Sequence, residues 1–157
     1  MPNYIECLDI SNLYKQDIVA GFLVFRNGEK NLTKSKLYKL ENSEIESDLA
    51  RIKSACLIHY RKYLPADLPD LIIVDGGKEQ VKAVQQALKE LKLKTMVMGL
   101  AKDERHQTAK IITPDLKELS FGKKERIRNF LTNCQAEVHH YAINFHRKLH
   151  RRSTLKN

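Results

Sequence analysis

A chain of 157 residues has the usual size of one domain and enough length to bury a core. Hydrophobic residues make up 42% of it, which excludes disorder as the starting expectation, and no apolar run approaches the ~20 residues of a membrane-spanning helix. The 28 Lys and Arg against 19 Asp and Glu give a net charge of +9, which directs attention to a polyanionic partner, nucleic acid first.

Tyr4 to Ile10 reads as a strand with Ile5, Cys7 and Asp9 on one face and Glu6 on the other. A polar turn follows over Asn12 to Asp17. Val19 to Phe25 is a second, apolar strand, Arg26-Asn27-Gly28-Glu29 a hairpin turn, and Leu32 to Leu40 a more polar third strand suited to a sheet edge. From Glu41 to Tyr63 the period changes: Ile45, Leu49, Ile52, Cys56 and Tyr60 recur at helical spacing, and Pro65 and Pro69 end the helix. Leu71-Ile72-Ile73-Val74 is a continuous apolar run of the kind buried on both sheet faces, stopping at Asp75-Gly76-Gly77. A helix with the stripe Val81, Val84, Leu88 and Leu91 leads to a second buried strand, Met96 to Leu100. Ala109 to Thr113 and Leu116 to Phe121 form a small hairpin around Pro114-Asp115. Lys123 to Leu149 is a closing helix whose stripe runs through Ile127, Phe130, Leu131, Cys134, Val138, Tyr141, Ala142, Phe145 and Leu149. Three antiparallel strands followed by alternating helices and buried strands predict an α/β fold, a mixed sheet flanked by helices, in one domain over residues 1–157.

The cysteines Cys7, Cys56 and Cys134 are odd in number and widely spaced, with no CxxC pair, so neither a zinc site nor a disulfide framework is expected. Reduced thiols and a cytoplasmic setting fit this usage. The opening Met-Pro-Asn-Tyr-Ile-Glu lacks the basic head and apolar run of a signal peptide.

Asp9 stands near the carboxyl end of the first strand, and Asp75 ends the first buried strand. A helical crossover can set those strands side by side. Two carboxylates at neighbouring strand ends can share divalent cations, and their hard oxygens suit Mg²⁺ or Mn²⁺. Two such ions ~4 Å apart would stabilise both the attacking and the leaving oxygen in phosphodiester hydrolysis. The plainer reading of Asp75 before Gly-Gly and a helix is a turn former or cap, and on position alone the two readings weigh about equally. Asp48, in Glu46-Ser47-Asp48-Leu49, reads by spacing alone as a solvated first-turn acid favoured by the helix dipole. Asp75-Gly76-Gly77-Lys78 lacks the longer spacing of a phosphate-binding Walker loop.

On the closing helix, about 100° per residue puts Val138 near the stripe centre and His139 on its flank, in line with Arg128, Gln135 and His146. His140 then points to solvent. A flank imidazole can reach a cleft and position or deprotonate water, since imidazole titrates near physiological pH; the plainer reading is a structural histidine at a helix shoulder. His146 and His150 read as part of a basic tail with Arg147, Lys148, Arg151 and Arg152. That tail is either a solvated helix end with favourable dipole charges or a phosphate contact. Lys78 and Lys102, each just after a buried strand, are further phosphate-contact candidates, Lys102 the better placed.

Taken together, four segments carry a specific likeness. Ile5-Glu6-Cys7-Leu8-Asp9-Ile10-Ser11-Asn12, Pro69 to Lys78, Gly99-Leu100-Ala101-Lys102, and Gln135-Ala136-Glu137-Val138-His139-His140-Tyr141-Ala142-Ile143 with His146-Arg147-Lys148 occur in the order of the C-terminal nuclease domain of the UvrC excision-repair family. The set resembles that domain over nearly the whole chain. The resemblance implies a ribonuclease-H-like fold and a metal-dependent endonuclease making the 5′ incision at lesions in double-stranded DNA, with the UvrA and UvrB proteins as partners. It carries catalytic roles to Asp9, Asp75 and His139, with metal binding at Asp9 and Asp75, and a further functional role to Asp48. Around Asp48 the family's paired aspartates before an aromatic are replaced by flanking Ser47 and Leu49. It also implies that the chain is excised from a longer protein with a second nuclease domain, a UvrB-binding segment and helix-hairpin-helix motifs. The alternative from a different class is a non-catalytic DNA-binding or assembly module that retains the fold.

Overall fold

The computed structural model describes residues 2–12, 17–40, 47–102, 105 and 108–155. The centre of the turn expected at Asn12 to Asp17 and the expected helical start at Glu41, with Ile45 of its stripe, lie outside the described residues.

Alternation and turn chemistry build the first half. Strands β1 (Tyr4–Ser11), β2 (Ile18–Arg26) and β3 (Glu29–Leu40) form an antiparallel meander. Asn27 and Gly28 both take positive φ, 52° and 85°, as a two-residue hairpin matched to strand twist requires. The third strand therefore starts at Glu29, directly after the turn, rather than at Leu32. It lies at the sheet edge, and its lysines are mostly exposed.

The second half is wound in parallel. Helix α1 (Asp48–Tyr60) starts where the Ser47 side chain accepts the Ala50 N–H at 3.2 Å. After a 3₁₀ turn at Pro65–Asp67, strand β4 (Leu71–Asp75) pairs in parallel with β1. Helix α2 (Lys78–Glu90) returns the chain to β5 (Met96–Lys102), parallel to β4. The hairpin β6 (Thr108–Ile112) and β7 (Glu118–Ser120) extends the sheet, and α3 (Glu125–Leu155) closes the fold. The seven strands stand in the order β3-β2-β1-β4-β5-β6-β7. This is the mixed sheet with flanking helices that the order of elements predicts. The first residue of β5, Met96, is 51% exposed, so the second parallel strand is buried only from Val97 on.

Each face of the sheet has its own core. Leu8, Phe22, Ile72 and Val74 pack with Ile52, Cys56, Val84 and Leu88 of α1 and α2. Ile5, Cys7, Leu23, Leu71 and Ile73 pack with Leu131, Cys134 and Val138 of α3. Each fully buried side chain of this kind contributes about 1.5–3 kcal/mol. The packing of α3 on the sheet begins at Phe130 and Leu131; Ile127, one turn earlier, is 40% exposed rather than part of the buried stripe. All three cysteines are buried and free.

Gly99 sets the spacing between β4 and its neighbour. A Cβ there would stand 2.6 Å from the Gly76 carbonyl oxygen and 2.8 Å from Val81 Cγ2, closer than packed atoms tolerate. Gly76 N donates to Leu100 O at 3.0 Å. The backbone just after Asp75 is thereby fixed against β5.

Candidate active site

The parallel register Ile5↔Leu71 through Leu8↔Val74 makes Asp9 and Asp75 the next residues on adjacent strands. Period two then puts both carboxylates on the α3 face, with Ile5, Cys7, Leu71 and Ile73 below them. They stand at the carboxyl ends of parallel strands, where ligands bind in open α/β sheets.

Helix α3 reaches both. His139 Nδ1 lies 3.0 Å from Asp9 Oδ2; a carboxylate only accepts, so Nδ1–H donates and Nε2 is turned outward. The His139 side chain is 56% exposed, Asp9 only 9%. One turn earlier, Gln135 Nε2 donates to Asp75 Oδ1 at 2.6 Å. Lys102 Nζ, at the end of β5, is 3.9 Å from the other oxygen, Asp75 Oδ2. Beside the two aspartates is a pocket of about 190 Å³ lined also by Asn12, Asp48, Ile52 and Gln80. A larger depression, of about 570 Å³, lies at the opposite end of β1 and β4, around Tyr4, Arg26, Lys62 and Asp70, and contains none of the expected site residues.

Burial raises the Asp9 pKa above its ordinary 3.8; the hydrogen bond from His139 opposes this, and the charge of Asp75 adds to it. The pair is thus two carboxylates in mutual repulsion at a partly desolvated edge. A divalent cation between them would relieve that repulsion, and two carboxylates with room for water and phosphate match what Mg²⁺ takes. Among the described residues no three of His, Cys, Asp or Glu are grouped to hold an ion by themselves, so further ligands would come from water and substrate.

The other expected residues divide. Asp48 lines the same pocket as Asp9 and Asp75, yet its side chain is 67% exposed and pairs with Arg51 at 3.3 Å. His140 is exposed, on the far side from Asp9 as the helical period predicts. Lys78, the first residue of α2, is exposed, and Lys102 is the lysine whose Nζ approaches Asp75. Arg147, Lys148, Arg151 and Arg152 are exposed on the last turns of α3. Those turns extend past the end of β1, because Ser11 Oγ, at the last β1 residue, shares a 2.8 Å hydrogen bond with His146 Nδ1. His146 is fully buried, a correction to its reading as tail. It sits on the flank that also carries Gln135 and His139, and at its own position the end of β1 meets it through Ser11. Gln135 is the site residue missed by sequence reasoning, although the wheel placed it in line with His139. An amide carries no chemical signature that singles it out before its partner is known.

Residues 1–143 match the family described as the UvrC RNAse H endonuclease domain. The chain is 41% identical over 154 residues to UvrABC system protein C of Mycoplasmoides gallisepticum, covering 93% of this chain and 26% of the relative. It is 36% identical over 157 residues to UvrABC system protein C of Malacoplasma penetrans, covering 98% of this chain and 27% of the relative. The chain therefore spans about a quarter of the length of these relatives. A solved structure of Ciona intestinalis Endonuclease V in complex with inosine-containing DNA is similar at 16% identity and a TM-score of 0.47, over 65% of this chain and 46% of that one. On the match over residues 1–143 and these identities, the chain belongs to the UvrC RNase H endonuclease domain family.

Proposed function

We propose that this chain is the endonuclease unit of an excision-repair protein, hydrolysing a DNA phosphodiester on the 5′ side of a lesion with Mg²⁺ or Mn²⁺ at Asp9 and Asp75. The observation that carries the reading is the pair of carboxylates at neighbouring strand ends, each held by a side chain of α3. When bound, a divalent cation supplies an activated water and neutralises charge building on the phosphate.

The residues take distinct parts. Asp9 and Asp75 hold the cation, and Asp48 faces the same pocket as a further functional acid. His139, anchored through Nδ1, has Nε2 available to take a proton from attacking water. Lys102 is close enough to Asp75 to meet a phosphate seated there. Lys78 and the tail cations Arg147, Lys148, Arg151 and Arg152 contact flanking phosphates, giving salt-dependent affinity. Damaged duplex DNA is the substrate, UvrA and UvrB proteins are the partners, and the setting is cytoplasmic; the family membership and the UvrABC naming of the relatives support these. Among the described residues no helix is long and apolar enough to cross a membrane. The chain acts as a single domain of a longer protein.

A nicking assay on damaged DNA with Mg²⁺ or Mn²⁺, made in the full-length protein, tests the reading. Asp75→Ala should abolish the 5′ cut while leaving salt-sensitive DNA binding largely intact. Cleavage that survives this change would sink the catalytic assignment and favour a binding or assembly module.

A further inference from the structure

We infer that Gln135 is a positioning residue for the metal site: it fixes the Asp75 carboxylate in the orientation that receives the cation. The inference rests on the metal reading of Asp9 and Asp75 and adds a residue to it.

The geometry is specific. Gln135 Nε2 donates to Asp75 Oδ1 at 2.6 Å, a short bond, as expected when the acceptor is charged. The residue is 7% exposed, so its amide is held by packing. Asp75 is the last residue of β4, and its side chain is 33% exposed at the rim. An aspartate so placed has several rotamers open to it unless something selects one. Lys102 stands 3.9 Å from Oδ2, on a flexible side chain that is itself 44% exposed. It cannot fix an orientation as a buried amide does. Below Asp75, the Gly99–Gly76 approach fixes the backbone, and Gln135 then fixes the side chain.

The helix repeats the device one turn on. Gln135 and His139 are four residues apart on α3 and meet Asp75 and Asp9 respectively, the i, i+4 spacing that stacks side chains on one helix face. His139 meets Oδ2 of Asp9, and Gln135 meets Oδ1 of Asp75. A neutral amide also leaves the full negative charge of Asp75 for a cation, whereas a cationic donor would offset it. Partners behind metal ligands set ligand orientation, and their loss weakens metal binding by about 10–100-fold.

Three readouts test this. In ¹⁵N NMR of the protein without metal, the Gln135 side-chain NH₂ should exchange slowly with water and move on Asp75→Ala. A solvent-averaged signal unmoved by that change overturns the inference, whether or not any metal binds. In Mn²⁺ titrations followed by electron paramagnetic resonance, Gln135→Met should raise the Kd for Mn²⁺ by about tenfold or more. In cleavage, the loss should fall on the Mg²⁺ concentration required more than on kcat at saturating Mg²⁺. An unchanged Mn²⁺ affinity in a folded Gln135→Met protein overturns it. If the unaltered protein binds no Mn²⁺, the metal reading fails instead, and the NMR signal still decides for Gln135, as it does if Gln135→Met does not fold.

Discussion

His139→Asn separates the two tasks assigned to His139. The asparagine amide nitrogen falls close to the position of Nδ1 and can still donate to Asp9 Oδ2, the bond seen at 3.0 Å. It has no counterpart to Nε2 and cannot take a proton. His139→Ala removes both functions. A hydrogen bond to a charged acceptor contributes about 1.5–3 kcal/mol, which is about 10–150-fold in rate if it is fully expressed in the transition state. A positioned general base contributes about 10²–10⁴-fold. In single-turnover cleavage of a damaged duplex at saturating metal, His139→Asn should lose about 10²–10⁴-fold, and His139→Ala about tenfold or more beyond that. Because the His139 side chain is 56% exposed and the asparagine keeps the donor to Asp9, His139→Asn should leave the melting temperature nearly unchanged. His139→Asn cleaving within about threefold of the unaltered protein would refute proton handling by His139 and leave it only the task of holding Asp9; the threefold margin is small beside the base contribution.

Two further outcomes concern stability. Asp9 has its folded-state pKa raised above 3.8, chiefly by burial; the folded state therefore favours the protonated carboxyl, and the stability it gives is fully present below 3.8 and lost as the pH rises from there through the raised value. Asp9→Asn imitates the protonated form, so without metal it should raise the urea midpoint at pH 7 while abolishing cleavage. That gain should vanish below pH 3.8, where both forms of the unaltered chain are protonated; an equal gain at pH 3 and pH 7 would contradict the assignment. On the other sheet face, the fully buried Glu6 carboxylate pairs with His59, also accepts the Tyr4 hydroxyl at 3.2 Å, and His59 Nδ1 meets the Tyr38 hydroxyl at 2.7 Å. His59→Leu strands the carboxylate and should cost about 3–5 kcal/mol, whereas Glu6→Leu with His59→Leu should recover much of that. Urea unfolding of the three variants measures both, and a single variant within ~1 kcal/mol of the unaltered chain, the level of an exposed pair, would show that the carboxylate is not stranded.

The hydrophobic period and the turn residues carried most of the fold by themselves. Period two set β1 with Asp9 opposite Glu6, Asn27-Gly28 closed the hairpin, and the apolar run ending at Asp75 marked a strand covered on both faces. These are local properties, written in side-chain order and backbone preference. The pairing of β1 with β4 was suggested by the crossover but settled by the parallel register, which aligns Leu8 with Val74 and brings residues 66 positions apart to one edge. The helical period likewise narrowed His139 and Gln135 to one flank without naming what they would meet.

Only the tertiary structure made that assignment. A hydrogen bond between Gln135 and Asp75, or between His146 and Ser11, depends on how α3 lies across the strand ends, and no local pattern encodes that angle. His146 shows the limit most plainly. Among Arg147, Lys148 and His150 it reads as one more tail cation, yet it is fully buried, because burial is decided by what covers a residue, not by its neighbours in sequence. Asp9 and Asp75 were chemically conspicuous from the start. Their depth, mutual repulsion and α3 partners, which turn two acids into a site, arise from the packing of one helix on two strands.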